Sequence, residues 1–345
     1  MNRHNHLVAL CLSVFAVTTT ARSAGAISEV KHYQLAIREC ARAGLPPSFC
    51  NRIAVGDHNV DKVDWFEMPA HAQTPDGVTL CDGANMTLQF VQDRARRLRL
   101  ALGALKEAGS DANLQTRETL VDEIGQQLGR ALHAIQDNCV HRGISNPHHA
   151  WLSLEKDCQG GSRNPDDQTD GQQCASDETG PVMDAVVAVM ESMGLAPPDL
   201  AVTPKSPLRW ANRDDLCEYF GSASDWDGQD RRWDASMMVP ATRDAFLAGL
   251  RGDSESVNDV CAGGGVAMSA KALDPHEDVS SGPPSCASFE LRCASWTAPA
   301  AFGSGLVQVD GAVQGCSAAS PSTADTGLLA GVALPLLLVR RGRAR

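Results

Sequence analysis

Apolar residues recur at helical spacing through much of the chain, and no stretch shows the sustained alternation of a strand-rich protein. Between residues 82 and 108, Leu88, Val91, Ala95, Leu98, Leu102 and Leu105 fall on one side of a helical wheel, the three-and-four spacing of a helix that buries one face. Residues 113–141 repeat the pattern: Leu120, Ile124, Leu128 and Leu132 recur at four-residue steps, flanked by Ala131 and Ile135. The spacing also predicts helix over 29–55 and 181–193, and shorter helices at 210–221 and 240–251. Gly143 and the pair Asn146-Pro147 predict a break after His141. Residues 157–180 are rich in Asp, Gln, Gly and Ser with almost no apolar side chain, which predicts a solvated loop. Residues 197–207 form a Pro-rich connector, and 226–233 a loop packed on the short helices. The expected fold class is all-α, with no internal repeat and one sizeable core.

The polar side of the 113–141 helix carries the chemistry. His133, Asp137 and His141 stand four apart; at about 100° per residue they drift only about 80° around the axis and share a face. Two imidazoles and a carboxylate in a row suit a divalent transition metal, above all zinc. Gly129 and Gly125 lie one and two turns upstream on the same line, where a missing side chain lets another backbone come close. A single His–Asp pair at this spacing is more often an ordinary hydrogen-bonded pair. The density argues otherwise: four of the ten histidines fall between His133 and His149. Cys139 is about 200° from Asp137 on the wheel, so it faces away from the row and reads as a disulfide partner.

The motif Leu128-Gly129-Arg130-Ala131-Leu132-His133, with Asp137 and downstream histidines, resembles the zinc-dependent phospholipase C/P1-nuclease-like superfamily. It is also similar to the heterokaryon-incompatibility C-like proteins. The resemblance spans residues 27–160, and its specific part is 128–141. It implies a multi-helix domain with disulfide-stapled loops, one to three zinc ions and a phosphodiester or phospholipid substrate. It further implies metal ligands at His32, Asp57, His71, His133, Asp137, His141 and His149. Asp57, His71, His133 and Asp137 would form one site; His32, Asp137 and the mature N-terminus a second; His141, His149 and an acid a third. Asp137 would bridge two ions, and Asp57 would double as the catalytic base. His58, Asp61 and Asp64 compete with Asp57 for the middle acid. Leu152 and Ser153 stand where the family has an acid four residues after its last His.

The ends of the chain predict where it works. Arg3, the apolar run 7–17 and the small residues Ala24-Gly25-Ala26 read as a secretory signal. The run is too short to span a bilayer. Cleavage after Ala26 leaves Ile27 as the N-terminus, either as a frayed end or as an amine near the metal. At the other end, Cys316, the apolar run 326–339 and the closing arginines 340, 341, 343 and 345 resemble the myxobacterial-type C-terminal sorting signal. That resemblance implies a sorting protease as partner and display on the cell surface or outer envelope; a plain membrane anchor is the alternative. The expected organisation is a signal peptide (1–26), a helical metal-binding domain (27–263), a Gly/Ser/Pro-rich, Cys-containing stalk (264–315) and a sorting or anchor segment (316–345). Of twelve cysteines, Cys11 and Cys316 fall in the terminal signals. The other ten are an even number suited to disulfides in an oxidising compartment, with Cys40/Cys50 and Cys286/Cys293 as local loop closers. A net charge of −12 argues against a basic nucleic-acid-binding patch.

Three functions follow. The first is an exported zinc-dependent phosphodiester hydrolase. The second is a non-catalytic, metal-stabilised surface protein. The third is a disulfide-stapled interaction module with structural histidines.

Overall fold

The computed structural model describes residues 29–109, 112–159, 169–208, 218–219, 221–226, 230–253, 260 and 269–271. Contacts divide the chain into units Met1–Pro299 and Ala300–Arg345, and every described residue belongs to the first. The expected signal segment, the anchor segment and the Cys286/Cys293 pair lie outside the described residues.

The fold is all-α: the described residues are 76% helical, with seven helices among them. They are α1 (Glu29–Arg42), α2 (Pro47–Val63), α3 (Leu80–Ala108), α4 (Leu114–Asn138), α5 (Asn146–Gln159), α6 (Thr169–Met193) and α7 (Ala235–Arg251). The side chains of Thr79 and Asn113 cap α3 and α4 by accepting from Asp82 N and Thr116 N, which satisfies donors the first turn leaves open. One small antiparallel ribbon pairs β1 (Asp230–Arg232) with β2 (Ser269–Lys271). Among the described residues no helix is long and apolar enough to cross a membrane.

Helix α4 is the hub and packs against α2, α3, α6 and α7. Its predicted stripe is inside: Ile124, Leu128, Ala131, Leu132 and Ile135 join a core with Phe49, Ile53, Leu98, Leu102 and Phe246. The stripe predicted on α3 is likewise buried. Among the described residues, two disulfides staple the bundle. Cys40–Cys50 closes the α1–α2 turn, and Cys139–Cys174 ties the end of α4 to α6.

Several elements differ from their sequence readings. The helix expected over 29–55 is two helices, because Gly44, at φ +77°, and Pro46-Pro47 end one and start the next. The helix expected to reach residue 141 stops at Asn138. The polar span 157–180 is not a loop throughout: α5 runs to Gln159 and α6 begins at Thr169. A few small contacts hold the start of α6, with Ala175 buried beside Val140 and Cys174 bonded to Cys139. Pro181 sits inside α6. The packed loop at 226–233 contains β1, whose partner β2 falls within the expected stalk.

The backbones of α2 and α4 come together at glycines. A methyl group on Gly129 would sit 2.4 Å from Asp57 N and 2.5 Å from Ile53 O; one on Gly56 would sit 2.8 Å from Gly125 O. These neighbours are backbone atoms and cannot swing aside. Gly129→Ala should therefore destabilise the fold by about 1–3 kcal/mol or more through overpacking. Gly103→Ala, in α3 with nothing within 4 Å of the added carbon, should be neutral or stabilising by about 0.5–1 kcal/mol. Thermal unfolding of the two variants checks this, and equal melting temperatures would contradict it.

Candidate metal centre

The α2–α4 contact positions the first half of the site. Past the glycines, the line on α4 continues as His133 and Asp137. Opposite them α2 presents Asp57 and Asp61, also one turn apart. Helix α1 contributes His32. A 3-10 turn, Met68–His71, delivers His71 and ends at Ala72, at φ +48°. Backbone pairing then locks this turn to the segment after α4: Gln73 and Gly143 form a parallel bridge, with Gly143 N donating to Ala72 O at 2.9 Å. His141 follows α4 rather than riding on it, yet it reaches the same place. Its Nδ1 donates to His71 O at 2.8 Å and lies 3.4 Å from Asp137 Oδ2. His149, on α5, stacks edge-on against His141 with ring centroids 4.4 Å apart, and its Nδ1 hydrogen-bonds the Tyr219 hydroxyl.

Each of the four inner imidazoles has one nitrogen tied to an acceptor. His133 Nδ1 faces Asp57 Oδ1 at 3.1 Å, His32 Nδ1 faces Gln136 Oε1 at 2.6 Å, and His71 Nε2 faces Asp64 O at 3.2 Å. His141 uses the His71 carbonyl. An acceptor on one nitrogen places the proton there and leaves a lone pair on the other. Those of His133, His71 and His32 converge. His133 Nε2 lies 3.0 Å from Asp137 Oδ2 and 3.4 Å from Asp61 Oδ1. His71 Nδ1 lies 3.4 Å from Asp137 Oδ2, 3.8 Å from Asp61 Oδ1 and 3.2 Å from His133 Nε2. His32 Nε2 lies 3.0 Å from Asp137 Oδ1.

Neither oxygen of Asp137 receives a hydrogen bond, although the side chain is 1% exposed. A buried carboxylate ringed by imidazole lone pairs calls for a cation. Buried His/Asp groups able to hold a metal ion are present: His71, His133 and Asp137 form one set, and His32, Asp61 and His133 another. The donor spacing fits. Ligands around a tetrahedral zinc at about 2.0–2.2 Å stand roughly 3.3 Å from one another, and the three separations among His71 Nδ1, His133 Nε2 and Asp137 Oδ2 run from 3.0 to 3.4 Å.

All seven residues expected as ligands therefore gather in one region, but not all in the same role. Asp57 stands behind His133, on the nitrogen opposite the converging one, with none of its side chain exposed. Asp61 supplies the carboxylate on the converging side and is the partly exposed member, at 28%. A general base needs access to the reacting atoms, so the expected role for Asp57 does not match its position. His141 and His149 pair, but among the described residues no acid completes a metal set with them. His148 turns elsewhere and stacks on Trp226 at 4.2 Å. Sequence reasoning missed Gln136, Tyr219 and the Asp64 carbonyl. Helical spacing from His133 offered a signal for Gln136 alone, since the other two depend on tertiary contacts.

The charges are strongly coupled. Burial disfavours charge on His133, yet the Asp137 and Asp61 carboxylates lift its pKa well above 6.5. For His32, burial and the neighbouring His133 pull downward, and Asp137 and Asp57 outweigh them to give a net rise. Burial would raise Asp137, but His141, His133 and His32 hold it well below 3.8. Asp61 is depressed in the same way: burial is outweighed by His133, His32 and His71. In the metal-free protein, shared protons do the work of a cation.

The chain matches no protein-family model, no curated protein and no solved structure.

These shifts set a pH dependence. The histidine contributions to stability are complete below pH 6.5 and are lost as the pH rises through the raised folded values. The aspartate contributions are complete above pH 3.8 and are lost as the pH falls through the depressed values. The metal-free chain should therefore gain most from this cluster between pH 3.8 and 6.5 and lose stability above neutrality. Metal competes with those protons, so the rise in melting temperature on adding zinc should grow with pH. A zinc-induced rise that shrinks from acidic to mildly alkaline pH would contradict this.

Proposed function

We propose that this chain is an exported zinc-dependent hydrolase of phosphodiesters, of the kind implied by its resemblance to the phospholipase C/P1-nuclease-like superfamily. One observation carries the reading. Asp137 is buried without a hydrogen bond on either oxygen, with His32 3.0 Å from Oδ1 on one side and His133 3.0 Å from Oδ2 on the other. A carboxylate with imidazoles at both oxygens is placed to bridge two cations, the arrangement used to clamp an in-line displacement at phosphorus.

The donor set favours zinc. It is all nitrogen and oxygen, near tetrahedral in spacing, and Cys139 is committed to a disulfide. His71, His133 and Asp137 would hold the first ion, and His32 with Asp137 would contribute to a second, close to Asp61. When bound, zinc supplies Lewis acidity toward a phosphoryl oxygen and a nucleophile at neutral pH. The protein supplies the rest. His32, Asp57, His133 and Asp137 are shut away from water, so their charges act at short range in a low dielectric. Asp61 alone opens toward solvent, which makes its side the route for a phosphodiester. The disulfides suit an oxidising compartment, in keeping with export and surface display through the C-terminal segment.

A second reading is a metal-stabilised surface protein without turnover. It is favoured by the missing third donor beside His141 and His149 among the described residues. The two readings separate by experiment. The purified chain should contain zinc, and His133→Ala should release it and lower the melting temperature. Asp137→Asn should lose the metal, whereas Asp57→Asn should keep it with affinity weakened about 10–100-fold. Hydrolysis of bis(p-nitrophenyl) phosphate that is abolished by chelation and restored by zinc supports the hydrolase. Bound zinc without turnover supports the second reading, and a zinc-free chain unaffected by His133→Ala leaves only an interaction module.

A further inference from the structure

The direction of a hydrogen bond can be followed from α6 into the centre of the site. Thr179 is fully buried, and its hydroxyl donates to Ala175 O at 2.7 Å. A hydroxyl has one proton, so its remaining capacity is to accept. Gln136, also fully buried, lies with Nε2 3.2 Å from that oxygen. Only the amide NH2 can donate there, which turns Oε1 toward His32. At 2.6 Å from His32 Nδ1, that carbonyl oxygen requires a proton on Nδ1. His32 Nε2 is then the lone-pair nitrogen, and it is the one 3.0 Å from Asp137 Oδ1.

We propose that Thr179 and Gln136 are positioning residues that lock His32 in its Nδ1–H form, so that α6 sets the metal affinity of the His32 side of the centre. The inference rests on the metal reading above but assigns roles that reading does not need. Neither residue touches the converging atoms. Without Thr179 the amide is free to turn over, and its NH2 would then face His32 Nδ1. The imidazole would shift its proton to Nε2, the nitrogen that must be bare to bind. Outer residues that orient metal-binding histidines typically contribute 10–100-fold in affinity.

The test uses the full chain with 15N-labelled histidine and the variants Thr179→Val, Thr179→Ser and Gln136→Met. Long-range proton–nitrogen spectra of the metal-free protein at alkaline pH report the tautomer, with the His32 signal assigned by its loss in His32→Gln. Competition against a chelator reports zinc affinity. The wild type and Thr179→Ser should show the Nδ1–H form. Thr179→Val and Gln136→Met should show a mixture or the Nε2–H form and bind zinc about 10–100-fold more weakly. An unchanged tautomer in both Thr179→Val and Gln136→Met would overturn the proposal, as would a Thr179→Ser variant as impaired as Thr179→Val. If the wild type binds no zinc, the metal reading fails, and the tautomer spectra still decide whether the lock exists.

Discussion

The backbones of α2 and α4 meet where Gly56, Gly125 and Gly129 leave no side chains between them, and an added carbon at Gly129 would fall 2.4 Å from a backbone nitrogen. Everything in the site depends on that closeness. Two helices held this near present their next turns to each other within hydrogen-bond reach. On α2 those turns carry Asp57 and Asp61; on α4 they carry His133 and Asp137. The rest of α4 supplies the rigidity. Its opposite face, Ile124, Leu128, Leu132 and Ile135, is packed into the main core, so the polar line cannot rotate away.

The cost of this design is a concentration of buried charge. Asp57, His133 and Asp137 are essentially inaccessible to water, and two carboxylates and several imidazoles crowd together. A purely structural polar core satisfies its acceptors with donors. Here His133, His32 and His71 give their one certain proton outward, to Asp57, Gln136 and the Asp64 carbonyl. The inward side is left with lone pairs and carboxylate oxygens. That polarity is difficult to reconcile with folding alone and fits a centre shaped around cations.

Much of the fold was legible from apolar spacing. The stripes on α3 and α4 lie in the core, because a long helix with one apolar face has one place to put it. The close approach at Gly125 and Gly129 was legible too, since glycines in line with a His/Asp row have few other uses. The start of α6 was not. Its sequence is polar because much of that surface is exposed, and a disulfide and a few small residues hold it rather than an apolar stripe. Of the site, the seven expected residues do assemble. The division of labour between Asp57 and Asp61 was hidden, because spacing along α2 puts both on the same face and only the ring orientation of His133 tells them apart. His141 reaches the site without the helical turn expected beneath it, because the Gln73–Gly143 bridge does that work. Tyr219 acts through a partner distant in sequence, which periodicity cannot reveal.

The central claim is that these imidazoles and carboxylates form a preorganised nitrogen/oxygen metal centre. X-ray absorption at the zinc edge of the zinc-loaded chain tests it most directly. The account predicts four or five nitrogen and oxygen neighbours at about 2.0–2.2 Å, outer-shell scattering from imidazole rings and no sulfur. A sulfur shell near about 2.3 Å, or a shell of water oxygens without imidazole scattering, would contradict it.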